Sequence, residues 1–277
     1  PPDGAFDVAV DGSLACVAAW SDGLRLLDVT DPAAAREVGL FDTSGYVVDV
    51  ALAAGHAFVA ASEDGLRVLD VGEASRPREV GRFLPPDRDV GGTVQAGSVT
   101  GVEVLDGYAY VATSDSRLIV LDVADPTAPR PIGSWQGAGP AMSGVRVVAG
   151  VAYVDGWSGV ELVDVREPTA PRGLGAFAVP FDEERPDRTG VQDLAVDGDN
   201  LYVAAGEDGV LVVDVADPTR PVLERQLEAP ACSVRSGGQA LGLDLSGGTL
   251  WVAAGWNCLR QLRLPGAAGN AAADGDW

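Results

Sequence analysis

Lysine is missing from this 277-residue chain: all 19 basic side chains are arginine, set against 41 Asp and Glu, for a formal charge of −22. Without lysine there is no Schiff-base amine and no phosphate-loop ammonium. That charge repels phosphate backbones and anionic lipid by its sign, which argues against nucleic acid as a partner and favours a basic protein face, a divalent cation or a saline medium. Histidine occurs once, at His56, and methionine once, at Met142. No uninterrupted apolar run approaches the roughly 20 residues of a membrane span, so membrane association is expected only through a partner or a missing N-terminal anchor. Hydrophobic residues nevertheless make up 47% of the chain, enough to bury a large core. Because the chain opens at Pro1, removal of an export signal is expected, with a periplasmic, cell-surface or extracellular destination.

What is present is repetition. LRLLDVTDP from Leu24 returns as LRVLDVGEA from Leu66, LIVLDVADP from Leu118, VELVDVREP from Val160 and VLVVDVADP from Val210. A worn sixth copy, LRQLRL from Leu259, puts Arg263 where the others have Asp28, Asp70, Asp122, Asp164 and Asp214. These six positions lie 42, 52, 42, 50 and 49 residues apart. A period of 40 to 50 residues with several short strands per unit is the signature of propeller blades. Each unit opens on an alternating strand such as FDVAV from Phe6 or VDVAL from Val48. A second strand follows, such as ACVAA from Ala15 or AYVAT from Ala109, then a tight loop, the repeated phrase, and a weaker fourth strand such as REVGLF from Arg36. β-branched enrichment and Gly or Asp-Pro punctuation favour strands, and no 3.6-residue stripe appears.

The expectation is an all-β chain, a six-bladed β-propeller with four-stranded blades. It forms a single domain over 1–264, with blades at about 6–42, 43–94, 95–138, 139–186, 187–236 and 237–264. The last blade has three strands, and 265–277 is an extended tail. In this scheme the recurring Asp caps the turn into the fourth strand by bonding backbone amides. The open edge of blade 6 is a pairing site for residues outside the sequence or for a partner.

LIVLDVADP and VLVVDVADP carry a resemblance: from about Phe6 to Leu264 the chain is similar to the LVIVD-repeat proteins. The resemblance implies a β-propeller, exported or on the surface of bacteria and archaea, and it supplies no catalytic residue.

Loops between second and third strands emerge on the same face as the links between blades. Three links are long: LPPDRDVGGTVQAGS from Leu84, VPFDEERPDRTG from Val179 and APACSVRSGGQ from Ala229. Insertions confined to one face of a repeat array mark a binding side. Trp20, Trp135, Trp157 and Trp256 gather there as candidate partner-binding residues, with Trp277 as an anchor if the tail docks on a partner. Asp7, Asp49 and Asp193 share the second position of the first strands of blades 1, 2 and 5, near the channel mouth, where Ca²⁺ is the candidate ion and hydrogen-bonded carboxylates in water are the alternative. His56, in a turn on the opposite face, leaves a triad on the loop face without its base. Asp87, Asp89, Asp182, Glu183, Glu184 and Asp187 supply carboxylates for a hydrolase, but Arg88, Arg185 and Arg188 interleave with them, as in self-paired solvated loops. Cys16 takes a slot that aromatics hold elsewhere and is read as a buried thiol. Cys232 and Cys258 project from one face and are expected to form a disulfide.

The leading expectation is therefore a non-enzymatic, exported interaction module or accessory subunit of a larger assembly, with a protein partner and no cofactor. The alternative is a metal-dependent or carboxylate-based hydrolase or ligand-binding propeller with its site at the channel mouth.

Overall fold

The computed structural model describes residues 4–90, 93–95, 97–139, 141–156, 158–180, 184, 190–228, 239–246, 248–254 and 259–263. Six successive antiparallel sheets follow one another, each with strand order equal to chain order, on the blade plan of a six-bladed β-propeller. The one helical turn among the described residues is the 3-10 segment Pro32–Ala34. Among the described residues no helix is long and apolar enough to cross a membrane.

Blade 1 comprises Asp7–Asp11, Leu14–Ala18, Leu24–Asp28 and Arg36–Phe41; blade 2, Asp49–Ala53, His56–Ala60, Leu66–Asp70 and Arg78–Phe83; blade 3, Val99–Leu105, Tyr108–Thr113, Arg117–Asp122 and Arg130–Gln136. Blade 4 comprises Gly144–Val148, Val151–Gly156, Gly159–Asp164 and Arg172–Ala178; blade 5, Asp193–Asp197, Asn200–Ala204, Val210–Asp214 and Val222–Leu227. Blade 6 has three strands among the described residues, Ala240–Ser246, Thr249–Ala254 and Leu259–Arg263. A small hairpin, Arg88–Val90 with Thr93–Gln95, occupies the link from blade 2 to blade 3, where the sequence suggested only a loop.

The chain forms two compact units. In the first, Pro1–Gly150 with Val165–Arg172, the sheets pack through a core that includes Leu24, Leu26, Val59, Leu66, Val68, Val111 and Leu121. In the second, Val151–Asp164 with Gly173–Trp277, the core includes Leu162, Leu201, Val203, Val213 and Leu250. Apolar residues on both strand faces are what such stacking demands, since each sheet is covered on either side. Burying one Leu or Val side chain stabilises by about 1.5–3 kcal/mol.

The repeated Asp is scaffolding. Asp28, Asp70, Asp122 and Asp214 each accept the backbone N–H two residues on, at 3.0, 3.0, 3.1 and 2.9 Å. The first three also pair with the Arg that opens the fourth strand: Arg36 at 2.7 Å, Arg78 at 2.7 Å and Arg130 at 2.8 Å.

The turn so formed fits a socket on the preceding blade. A Cβ placed on Gly39 would collide with the carbonyl oxygen of Ala74, one on Gly81 with that of Pro126, one on Gly133 with that of Pro168, and one on Gly175 with that of Pro218. Glycine is required at these fourth-strand positions because a backbone oxygen already fills the space of a side chain. The repeat therefore encodes a plug, the turn after the third strand, and a socket, the fourth-strand glycine.

Candidate functional site

Two places in the first unit bring functional side chains together. One is a cavity of ≈ 210 Å³ against the first strands of blades 1 to 3, lined by Asp7, Glu103 and Arg146 among aliphatic residues such as Val8, Val50 and Val104. The other is an aromatic stack beside the tight loop of blade 1.

Beside the cavity, Val50 N–H donates to Asp7 Oδ2 at 3.0 Å and Val102 N–H donates to Asp49 Oδ2 at 2.7 Å. Each carboxylate thus reaches the first strand of the next blade. Asp193 does the same in the second unit, accepting from Leu243 N–H at 2.8 Å. The register explains the recurrence: Asp7, Asp49 and Asp193 lie opposite Ala18, Ala60 and Ala204. Where this slot is Gly101, a Cβ would press on the Gly144 backbone, leaving no room for Asp.

Burial raises the Asp49 carboxyl well above the usual range, and the charge of Asp7 and a side-chain hydrogen bond with it push the same way. Glu103 is also raised by burial, against the pull of Arg146 at 3.5 Å. The site sets a buried carboxyl, Asp49, beside Asp7 and next to an Arg–Glu ion pair. Among the described residues no three acidic, His or Cys side chains converge as a metal ion would need.

Glu103 and Arg146 were not singled out from the sequence, although a signal exists. First strands with Asp second have Ala fourth: Asp7 with Ala9, Asp49 with Ala51, Asp193 with Ala195. Those with Gly second have a charge fourth: Gly101 with Glu103, Gly144 with Arg146, Gly242 with Asp244.

Trp20 stacks on Phe6 with ring centroids 4.6 Å apart and on Tyr46 at 4.3 Å. Its backbone is held by reciprocal bonds with Val47, both 3.1 Å. Trp20 has φ 52, a left-handed conformation that is costly for a bulky residue. The matching bridge positions are Ser62 in blade 2 and Gly206 in blade 5, at φ 48 and 58. Phe6 is 56% and Tyr46 50% exposed. Neither neighbour was singled out from the sequence: Phe6 was read only as the start of the first strand, and Tyr46 lies outside the alternating pattern.

Of the other candidates, Trp135 lies half-buried opposite Leu118 near the end of its strand. Trp157, Trp256, Trp277, Cys232 and Cys258 lie outside the described residues. Cys16 is a fully buried free thiol, its pKa pushed up to about 12 by burial. His56 begins the second strand of blade 2, its Nδ1 2.9 Å from the Ala54 carbonyl oxygen.

Comparison with known proteins agrees with this architecture. The chain is similar to the computationally designed Ika8 protein (TM-score 0.65, 10% identity, over 94% of this chain and 71% of that one). It is also similar to the β-propeller domain of Cps50 (Swd1) from Myceliophteria thermophila (TM-score 0.67, 13% identity, over 91% and 79%). At such identities the likeness defines the fold alone, a β-propeller. The LVIVD repeat matches residues 4–43, 44–84, 96–136 and 190–227, together more than half of the chain, and the chain belongs to that family. No curated protein matches it by sequence.

Proposed function

We propose that this chain is an exported interaction module, an accessory subunit that docks a protein partner on the face carrying Phe6, Trp20 and Tyr46. The observation that carries the proposal is Trp20 itself. A left-handed backbone costs an L-residue about 1–2 kcal/mol that Gly escapes. Blade 5 uses glycine at the matching position and blade 1 uses the largest side chain available, stacked between two half-exposed rings. An exposed aromatic platform is the composition of an interface hot spot, and the acidic surface favours a partner with a basic face. Export enters from the family resemblance alone, and fractionation of the source cells tests it.

The test compares wild type with Trp20→Gly, which suits the backbone and removes the ring. A protein that co-purifies with the wild-type chain, once purified, should bind the variant about thirtyfold or more weakly. Equal affinities would overturn the proposal.

A second reading, a small ligand in the cavity beside Asp7, Asp49, Glu103 and Arg146, draws support from the raised Asp49 and Glu103 carboxyls, which suit general acid–base work. Volume weighs against it: ≈ 210 Å³ lies below the roughly 300–1,000 Å³ of typical ligand sites. A divalent ion retained on elemental analysis, or a ligand lost with Arg146→Ala, would favour it.

A further inference from the structure

We infer that the cavity on the first strands of blades 1 to 3 takes a small zwitterion with a hydrocarbon tail, an aliphatic α-amino acid, whose carboxylate meets Arg146 and whose ammonium meets Asp7. The inference rests on the second reading above, that the cavity holds a ligand, and is independent of the face around Trp20. Every residue that lines the cavity belongs to the first unit.

The space is written into the repeat. At the fourth position of the first strand, blades 1 and 2 carry Ala9 and Ala51, whereas blades 3 and 4 carry Glu103 and Arg146, and all four line the cavity. Two short side chains leave the room, and two long ones bring charge to it. Asp7, from the second position in blade 1, adds a further carboxylate. The rest of the wall is aliphatic, and two of its members, Val8 and Val10, are 56% and 61% exposed. Apolar surface left open beside charged groups is what a hydrocarbon tail covers favourably.

The charged groups can each take one end of such a ligand. Arg146 stands 3.5 Å from Glu103 and keeps 37% of its side chain exposed. That separation is longer than the roughly 2.7–2.9 Å of a strong charge-assisted pair. A guanidinium has five N–H donors in a fixed fork, so it can hold Glu103 and a second carboxylate together. Burial raises Glu103 above the ordinary glutamate range, which weakens its hold on Arg146 against an incoming carboxylate of ordinary acidity. Asp7 accepts Val50 N–H on Oδ2 at 3.0 Å, and a carboxylate offers about four acceptor sites, enough to receive an ammonium as well.

Charge balance selects the zwitterion over its two halves. An amine alone sets a second cation beside Arg146, and an acid alone sets another carboxylate beside Asp7 and Glu103, whereas one charge of each sign answers both. Volume sets the size: ≈ 210 Å³ suits a ligand smaller than those that fill the roughly 300–1,000 Å³ of typical sites.

Three ligands that share one tail test the assignment: valine, its amine isobutylamine and its acid 3-methylbutanoate, titrated by calorimetry into the full chain at pH 7. Valine should bind about tenfold or more tightly than either analogue, because each analogue leaves one charged group of the cavity unanswered. An analogue that binds as well as valine and is lost in Arg146→Met overturns the zwitterion and keeps the cavity as a ligand site; no binding by any of the three overturns the assignment. Asp7→Asn and Arg146→Met should each weaken valine about tenfold or more. Wild-type affinity in both variants puts the ligand elsewhere and overturns the site. Should either variant fail to fold, Val8→Cys decides the location. Valine at about ten times its Kd should slow alkylation of that thiol about tenfold, read on the peptide carrying residue 8, and an unchanged rate overturns the site.

Discussion

Asp49 Oδ2 receives the backbone N–H of Val102 at 2.7 Å, which ties the first strand of blade 2 to that of blade 3 through one buried carboxyl. Its Oδ1 meanwhile accepts Val50 N–H at 2.9 Å. Two backbone donors favour the charged form, yet burial and Asp7 outweigh them and the carboxyl holds its proton more tightly than a free aspartate.

A pH dependence with a definite sign follows. The folded pKa of Asp49 lies above its unfolded value, so its contribution is complete below the ordinary aspartate range and is lost as pH rises through the folded value. Asp28 is the opposite case, lowered by the Thr30 hydroxyl and then by Arg36. Its contribution is complete above the ordinary range and is lost as pH falls. Denaturant melts from pH 3 to pH 8 should show Asp49→Asn removing a loss of stability on the alkaline side and Asp28→Asn removing one on the acid side. Identical slopes in both variants would refute the assignment.

Gly39→Ala and Gly81→Ala should each destabilise by about 1–3 kcal/mol or more, because the displaced atom is a backbone oxygen of the next blade's turn and not a side chain that can swing away. Gly139→Ala, with nothing closer than 3.9 Å to the new methyl, should stay within about 0.5 kcal/mol of wild type. Urea midpoints at constant m-value check the contrast.

Two substitutions at Trp20 separate the ring from the backbone. Trp20→Ala loses stacking worth about 0.5–1.5 kcal/mol beyond area burial and keeps the left-handed strain. Trp20→Gly loses the ring and relieves the strain, so it should be the more stable of the two by about 1 kcal/mol. Calorimetry on both proteins gives the difference.

Cys16 is at 0% exposure with its thiol pKa pushed up to about 12 by burial, so under native conditions it should resist alkylation at pH 8. Mass spectrometry of the Cys16 peptide before and after denaturation measures this. Rapid labelling in the native protein would contradict the packing.

The third strands and their turns were legible because alternation, Asp and Pro are local signals, and Leu24–Asp28 or Leu66–Asp70 needs no distant partner to be recognised. The hairpin at Arg88–Val90 and Thr93–Gln95 was not legible, because three-residue strands fall below what alternation can show. Asp7 and Asp49 were placed correctly at equivalent positions, but their partners, Val50 and Val102, follow only from how one sheet lies on the next. Phe6 and Tyr46 precede strands without belonging to them, so only the structure shows Trp20 between their rings.

The plug-and-socket contact also has a direction, and direction governs how such an array can grow. Blade 2 presents a turn at Ala74 to its predecessor and a glycine at Gly81 to its successor, so a copy inserted beside it would find both neighbours already shaped to receive it. Blade 5, with Arg225 at the fourth-strand position that is glycine in blades 1 to 4, offers no such socket to the blade that follows it. A second copy of blade 2 or blade 3 would bring both halves of the joint with it, whereas a copy of blade 5 would bring a plug without a socket.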